Sequence, residues 1–146
     1  VETDLVPMVR LNRNHYVALK SVDKEPIGLR IVEVPADAER FELRDARSPF
    51  IAYVPTGSIG RGEALAKTGG SGTTVPCATC HGSDLKGVGP IPSIAGRSPS
   101  YLVRQLYDFK QGARAGSLSA LMRPTVEKLA VEDMVALAAY LASLAP

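Results

Sequence analysis

Several features are missing from this sequence. No apolar stretch approaches the roughly 20 residues that a membrane-spanning helix needs. Val1-Glu2-Thr3-Asp4 lacks the charged-then-apolar pattern of a secretory signal. The formal net charge is only +2, and no basic run is interleaved with aromatic residues, which argues against a nucleic-acid partner. The sequence therefore predicts neither a membrane span nor a nucleic-acid-binding surface.

Aromatic residues and sulfur are also scarce. Tryptophan is absent, aromatic residues make up 5% of the chain, and there are only two cysteines. Apolar residues nevertheless account for 45% of the sequence, which is enough to form a hydrophobic core. The 146 residues fit one ordinary domain, or one small domain with a substantial extension.

Both cysteines lie in one short motif, Cys77-Ala78-Thr79-Cys80-His81. This C-x-x-C-H spacing lets two thiols add to the two vinyl groups of one haem while the histidine binds the iron. A C-x-x-C alone could instead be a redox dithiol, a zinc half-site or a disulfide. A zinc site would need a second ligand pair, and the only other histidine, His15, lies far upstream. A thioredoxin-like motif would follow a buried strand, whereas a Gly-Gly-Ser-Gly-Thr-Thr run precedes this one, so covalent haem is favoured.

The chain has two regions that differ in their pattern of apolar and polar residues, and the pattern changes near residue 56. In the first region, alternating apolar and polar positions predict short extended segments rather than helices. Prolines at positions 26, 35, 49 and 55 interrupt them, which favours edge strands or coil over a regular sheet. The three predicted extended segments are Tyr16-Val17-Ala18-Leu19, Gly28 to Val34 and Arg40 to Arg44.

The second region has helical periodicity. Glycines after Lys67 end the first predicted helix. Ser98 and Pro99 provide an N-cap and a first-turn proline for the next one. The last helix begins after Ala130, which cannot cap it with a side chain. The three predicted helices run over residues 58–67, from 98 to near 112, and 131–144, and the glycine- and proline-rich residues 87–96 form a loop.

A second axial ligand for the iron has four candidates: Met8, His15, Met122 and Met134. Met134 lies on the apolar stripe of the last helix and is better explained as a core residue. Met8 and His15 lie in the irregular N-terminal region, where His15 is expected to be a surface or hydrogen-bonding residue. Met122 is predicted in a loop stiffened by Pro124 and far enough along the chain to pass around the porphyrin edge. Met122 is therefore the favoured ligand, and a thioether there raises the reduction potential relative to a second imidazole.

Residues 57–146 resemble a class I cytochrome c domain, and most closely one half of the dihaem periplasmic cytochromes c. The resemblance implies a mainly α fold around one covalent haem, here preceded by an irregular extension, residues 1–56, with short strands. The order of several short motifs carries it. They are Gly62-Glu63-Ala64-Leu65-Ala66, Cys77 to Gly82, Pro92-Ser93-Ile94-Ala95-Gly96, Tyr101-Leu102 with Gln105-Leu106, Phe109 to Arg114, Met122, and Ala138-Ala139-Tyr140-Leu141.

The resemblance also implies roles for individual residues. Cys77 and Cys80 form thioether bonds to the haem, and His81 and Met122 bind the iron. The carbonyl of Pro92, with that of Pro90 as the weaker candidate, accepts the other ring N–H of His81. The first and last helices are expected to cross at Gly62 and Tyr140. Further residues expected at the haem are Ile94, Tyr101, Leu102, Leu106 and Phe109, together with Arg97, which replaces a common glutamine and is a hypothetical partner of a haem propionate.

These inferences predict a one-electron carrier rather than an enzyme. Its expected partners are redox proteins such as a dehydrogenase, an oxidase or another cytochrome. Covalent haem implies export, so a periplasmic location is expected, with a leader or anchor absent from this chain. Two alternatives stay open: a peroxidase-like or sulfur-oxidising haem enzyme, and a sensor in which a diatomic gas displaces Met122. The extension could be a remnant, a wrap around the domain or a docking surface.

Overall fold

The protein is described by a computed structural model that covers residues 1–13, 15–19 and 23–146. The chain divides into two compact units, Val1–Thr56 and Gly57–Pro146. The boundary between them coincides with the one drawn from the sequence. Within the described residues, no helix is long and apolar enough to cross a bilayer.

The first unit is built from short antiparallel strand pairs. β1 pairs with β4, β2 with β3, and β5 with β6, each as a two-stranded sheet. The apolar side chains of Val6, Ile27, Val32 and Val34 form a core, each no more than 3% exposed. The elements are β1 (Leu5–Pro7), β2 (Val9–Asn12), β3 (His15–Ala18), β4 (Lys24–Pro26), β5 (Val32–Pro35), α1 (Ala38–Glu42) and β6 (Phe50–Tyr53).

The prediction of an extended segment over residues 40–44 is wrong, because most of it lies in helix α1. Asp37 is the N-cap of this helix, and its carboxylate accepts a hydrogen bond from the backbone N–H of Arg40 at 3.0 Å. Asp37 lies three residues before the predicted segment, and aspartate is a favoured N-cap residue. Its helix-start signal outweighs the alternation of apolar and polar residues from Arg40 to Arg44. The segment over residues 28–34 is extended only at its end, where β5 begins at Val32.

The sequence predicts that His15 is a surface or hydrogen-bonding residue, but the structure places it half-buried. Both of its ring nitrogens are buried and have no hydrogen-bond partner within the described part of the chain. The ring instead packs edge-on against Phe41, with 4.3 Å between ring centroids, and Phe41 packs edge-on against Phe50 at 5.2 Å. His15 therefore belongs to an aromatic cluster of the first unit.

The second unit is helical, and its three longest helices, α2, α4 and α6, match the sequence prediction closely. The side chain of Ser98 caps α4 by accepting a hydrogen bond from the N–H of Tyr101 at 3.2 Å, and Pro99 follows in the first turn. α2 ends at Gly69, which adopts a left-handed conformation with φ of 75°. The helices are α2 (Ser58–Thr68), α3 (Ala78–His81), α4 (Pro99–Lys110), α5 (Ser119–Val126) and α6 (Val131–Ser143).

Helix α6 forms the centre of the second unit, with every residue from Asp133 to Leu141 buried. α2 packs against it at the predicted crossing. A Cβ atom on Gly62 would lie 1.9 Å from the carbonyl oxygen of Ala136 and 2.8 Å from the Cβ of Tyr140. Gly62 thus permits a backbone approach that no side chain would allow. Met134 is 1% exposed, which confirms its expected place in the core.

The start of α6 is stabilised in a way that the sequence prediction missed. Ala130 makes no side-chain cap, as expected. The carboxylate of Asp133 accepts the backbone N–H of Ala130 at 2.9 Å, so one free donor of the first turn is satisfied. The same carboxylate also forms an ion pair with the guanidinium of Arg61 on α2, with 2.6 Å between Nη2 and Oδ1. Asp133 therefore links the first turn of α6 to the helix that crosses it.

The prediction that Met122 lies in a loop is wrong, because Met122 is inside α5. Pro124 lies in the same helix and removes one backbone donor, but it does not prevent the turn from forming. Val126 and Leu129, just beyond it, are fully buried at 0% exposure. Their burial offsets the cost of a proline inside a helix, so the segment predicted as a loop between two helices is itself helical.

Candidate haem site

The two thiols and the imidazole lie on one short turn of helix. The backbone N–H groups of Cys80 and His81 both donate to the carbonyl of Cys77, at 3.3 and 3.0 Å. Because residues three apart in a helical turn share a face, Cys77 and Cys80 present their sulfur atoms to the same side. The N–H of Cys77 donates to the carbonyl of Ala66 at 2.9 Å, which fixes the turn to the end of α2. Both cysteines are free.

The environment of Cys77 does not favour thiolate chemistry. Burial raises the pKa of the Cys77 thiol to about 11, so this thiol is protonated at neutral pH. A redox dithiol needs the opposite, a cysteine whose pKa is lowered by neighbouring positive charge or a helix N-terminus. No group of three or more His, Cys, Asp or Glu side chains within the described residues is placed to hold a metal ion. The positive feature of the site is thus the protonated thiol of Cys77 and a second free thiol, that of Cys80, beside an imidazole.

His81 is held in one orientation by a single hydrogen bond. The side chain is buried, and its Nδ1 lies 2.8 Å from the carbonyl oxygen of Pro92. Since a carbonyl only accepts, Nδ1 carries the hydrogen, and in the neutral imidazole Nε2 keeps its lone pair for another partner. The carbonyl found at His81 is that of Pro92, the stronger of the two candidates from the sequence. A histidine fixed in this way at Nδ1 is oriented as metal-binding histidines usually are.

The loop after α3 explains why Pro92 reaches His81. The backbone N–H of Gly87 donates to the carbonyl of His81 at 2.8 Å, which folds the loop back onto the helix. Gly87 has φ of 92°, and a Cβ atom there would lie 2.5 Å from the carbonyl oxygen of Ile91 and 2.9 Å from the carbonyl carbon of Pro92. The left-handed conformation and this close approach both require glycine. Gly87 therefore allows the turn that places Pro92 beside the imidazole.

The apolar residues predicted at the haem lie on α4, α5 and the loop, and α4 packs against both α5 and α6. Leu102 is buried and Tyr101 is 50% exposed. The guanidinium of Arg114 lies 4.5 Å from the ring centroid of Phe109 and covers one face of that ring. Arg97 is exposed, and its Nε donates to the carbonyl of Ser93 at 3.4 Å. The half-buried members of the predicted set are Ile94, Leu106, Phe109 and Met122.

These residues fit a covalently bound haem. The site offers two free thiols in the C-x-x-C-H spacing on one helical turn, an imidazole oriented through its Nδ1, and several apolar side chains that the protein alone does not fully bury. Half-buried apolar side chains gain stability when a large apolar group covers them.

Three residues that shape the site were not predicted from the sequence. They are Thr74, whose buried hydroxyl reaches α5, Gly87 in the loop, and Asp133 at the start of α6. Asp133 could have been found, because an acidic residue at the third helical position is the partner expected in a capping box. Thr74 and Gly87 have no such local signal, since their partners are set by the tertiary fold.

Comparison with known proteins supports the same assignment. The family model described as cytochrome c matches residues 60–145. The chain is 38% identical over 84 residues to cytochrome c-552 of Acidithiobacillus ferridurans, a match that covers 57% of this chain and 35% of that protein. It is 36% identical over 86 residues to the thiosulfate dehydrogenase electron acceptor of Stutzerimonas stutzeri, covering 57% of this chain and 38% of the other. The chain thus spans little more than a third of the length of these two relatives.

A solved structure shows the same fold. Reduced recombinant cytochrome c4 from Pseudomonas stutzeri superposes with a TM-score of 0.56 at 30% sequence identity, over 64% of this chain and 51% of that one. The family match covers more than half of the chain and includes both cysteines, His81 and the helices that surround them. This chain therefore belongs to the cytochrome c family.

Proposed function

We propose that this protein is a periplasmic one-electron carrier with one haem c, attached through Cys77 and Cys80 and bound axially by His81 and Met122. The observation that carries the proposal is the buried imidazole of His81, which directly follows two free thiols and gives its Nδ1–H to Pro92. The haem, once bound, supplies a one-electron change between Fe(III) and Fe(II).

The chain's own residues set the conditions for that change. The hydrogen bond to Pro92 fixes the tautomer and ring orientation of His81 and makes Nε2 a stronger donor. A more strongly electron-donating imidazole stabilises the oxidised iron. Apolar neighbours such as Leu102 act in the opposite direction, because they exclude water and so disfavour the additional positive charge of the oxidised iron. Neither effect requires a proton to move, so the rigid loop around Pro92 suits a carrier that changes little between its two states.

Met122 is supported as the sixth ligand by what the other methionines do. The sequence has three methionines, and Met134 is buried within α6, where it packs the core. Met8 belongs to the first unit. Met122 is the methionine of the second unit that remains half-buried, on a helix beside α4. A thioether in that position favours ferrous iron, as suits an acceptor of electrons.

A redox enzyme or a second cytochrome is the partner that we propose. One relative carries the name thiosulfate dehydrogenase electron acceptor, and another is named as the cytochrome subunit of sulfide dehydrogenase. Two of the basic side chains expected to steer such a partner already make hydrogen bonds within the protein. The ammonium group of Lys86 donates to the carbonyl of Pro146, and that of Lys110 donates to the carbonyl of Leu129. These two contribute charge from fixed positions. The full set predicted to steer an acidic partner is Lys86, Arg97, Arg104, Lys110 and Arg114.

Replacement of Met122 by alanine tests the proposal. We expect the wild-type protein to show a c-type reduced spectrum, a weak far-red sulfur-to-iron band when oxidised, and no response to carbon monoxide. Met122→Ala should keep the covalent haem, lose the far-red band, bind carbon monoxide and have a lower potential, because a thioether ligand is gone. Met134→Leu is the control, since it nearly conserves volume in the core and should leave the band unchanged.

The spectra separate the competing functions. A far-red band that survives in Met122→Ala would show that another residue binds the iron. Rapid carbon monoxide binding by the wild-type protein would mean an open or displaceable site, and a haem enzyme or gas sensor would then replace the carrier as the best function.

A further inference from the structure

Helix α5, which carries Met122, has few attachments of its own. No side chain caps its first turn, and its interior contains Pro124. Leu118 and Leu121 are 47% and 60% exposed, and the one buried residue of the helix is Val126, at its last position. A short helix with this little burial is not stable alone and depends on tertiary contacts at its ends. The contacts near Val126, together with the packing of α4 against α5, therefore decide where Met122 lies.

One of those contacts comes from Thr74. The threonine is 8% exposed, and its hydroxyl donates to the carbonyl of Thr125 at 2.7 Å. The last carbonyls of any helix lack partners within the helix and need one from elsewhere. In α5 the neighbouring carbonyls of Arg123 and Val126 accept backbone N–H groups from Glu127 and Leu129. The hydroxyl of Thr74 thus satisfies a helix-end carbonyl three residues after Met122.

Thr74 is itself fixed to the segment that leads into the haem motif. Its backbone N–H donates to the carbonyl of Gly69 at 3.0 Å, and Cys77 donates to Ala66 at 2.9 Å. A Cβ atom on Gly69 would lie 2.4 Å from the carbonyl oxygen of Thr74, so the two residues are in close contact. The segment from α2 to Cys77 is therefore held by backbone hydrogen bonds on both sides of Thr74.

We propose that Thr74 is a positioning residue for the sixth ligand: its hydroxyl ties the end of α5 to the segment that carries the haem attachment, and it controls how readily Met122 leaves the iron. This inference rests on the proposed function, in which Met122 is that ligand. The helix moves away from its position only if the hydrogen bond to Thr125 breaks. Without the hydroxyl, the carbonyl of the half-buried Thr125 lacks this partner, and conformations in which α5 has moved become more populated.

Three variants of the holoprotein test this role. Thr74→Val removes the hydroxyl and keeps the shape, while Thr74→Ser keeps the hydroxyl. Thr73→Val is the matched control, because the Thr73 hydroxyl donates its hydrogen bond to the carbonyl of Gly70 at 2.9 Å, within the same loop. We expect Thr74→Val to keep its covalent haem but to bind carbon monoxide at least tenfold faster than the wild type, with a weaker far-red band. Thr74→Ser and Thr73→Val should behave as the wild type.

The outcomes distinguish this inference from the proposed function. If the wild type has the far-red band but Thr74→Val binds carbon monoxide no faster, or if Thr73→Val has the same effect as Thr74→Val, the inference is overturned. A wild type without the band that binds carbon monoxide rapidly would instead overturn Met122 ligation and the inference with it. If Thr74→Val does not attach haem, nuclear magnetic resonance on the wild type decides: a Thr74 hydroxyl proton that exchanges with water as fast as that of an exposed threonine overturns the role.

Discussion

Replacing Gly62 by alanine should destabilise the second unit, although alanine normally stabilises a helix. Gly62 is inside α2, and inside a helix alanine is more stable than glycine by about 0.5–1 kcal/mol because it loses less backbone entropy on folding. The added Cβ would lie 1.9 Å from the carbonyl oxygen of Ala136 and 2.6 Å from its carbonyl carbon. These are backbone atoms of the most buried helix, so they cannot rotate away, and α2 must shift outward.

The expected loss follows from these two opposing effects. Overpacking a close-packed core costs about 1–3 kcal/mol, and a clash against backbone belongs at the upper end of that range. After subtraction of the helix-propensity gain, the free energy of unfolding should fall by about 2 kcal/mol. For a unit of this size, that corresponds to a melting temperature lower by about 8–16 °C.

The control is Gly60→Ala in the same helix, where an added Cβ meets no atom within 4 Å. This variant should raise the free energy of unfolding by about 0.5–1 kcal/mol, because only the propensity effect acts. Urea unfolding of both variants, followed by far-ultraviolet circular dichroism, gives the comparison. Equal shifts for the two glycines, or a more stable Gly62→Ala, would refute the argument that close approach of α2 and α6 holds the unit together.

Two further predictions concern the loop and the start of α6. Gly87→Ala should displace Pro92 from His81 and raise the haem potential by about 60 mV, a tenfold change in the one-electron equilibrium. The control is Gly89→Ala: Gly89 also has a positive φ, 55°, but an added Cβ there meets no atom within 4 Å, so the haem potential should be nearly unchanged. Equal potentials for Gly87→Ala and Gly89→Ala in a spectroelectrochemical titration would contradict this reasoning. Asp133→Ala should lower the free energy of unfolding by about 1.5–3 kcal/mol, because the carboxylate accepts hydrogen bonds from both Ala130 and Arg61. The exposed neighbour Glu132→Ala should change it by less than about 0.5 kcal/mol, and similar losses in urea unfolding would count against a specific role for Asp133.

The sequence predicted the second unit well because its signals are local. Ser98 and Pro99 start α4, Gly69 ends α2, and the apolar stripe that includes Met134 places α6 in the core. These features act within a few residues, so the periodicity and capping rules are sufficient. The haem motif is likewise contiguous, which is why its cysteines and histidine are identified by their spacing alone.

The errors arose where tertiary contacts decide the local conformation. The segment that contains Met122 and Pro124 was predicted as a loop because it lies between two predicted helices, but burial of Val126 and Leu129 holds it as a helix. The Pro92 carbonyl was expected at His81, but the close approach at Gly87 that places it there was not predicted, nor was the hydrogen bond from Thr74 to Thr125. No periodicity encodes such contacts. The identity of Met122 as a ligand therefore stays a prediction, whereas the hydrogen bond that orients His81 is seen directly.

The burial of α6 has a consequence for the order of events during biosynthesis. Nine consecutive residues of this helix, Asp133–Leu141, are buried, and α2 packs against them, so the core of the second unit cannot close before they are synthesised. Cys77 and Cys80 precede them by about 50 residues in the chain, a distance that takes on the order of seconds to translate. During that interval the two cysteines have been synthesised but the helix that closes the core has not. Until α6 docks, both cysteines therefore belong to a chain whose core is still open.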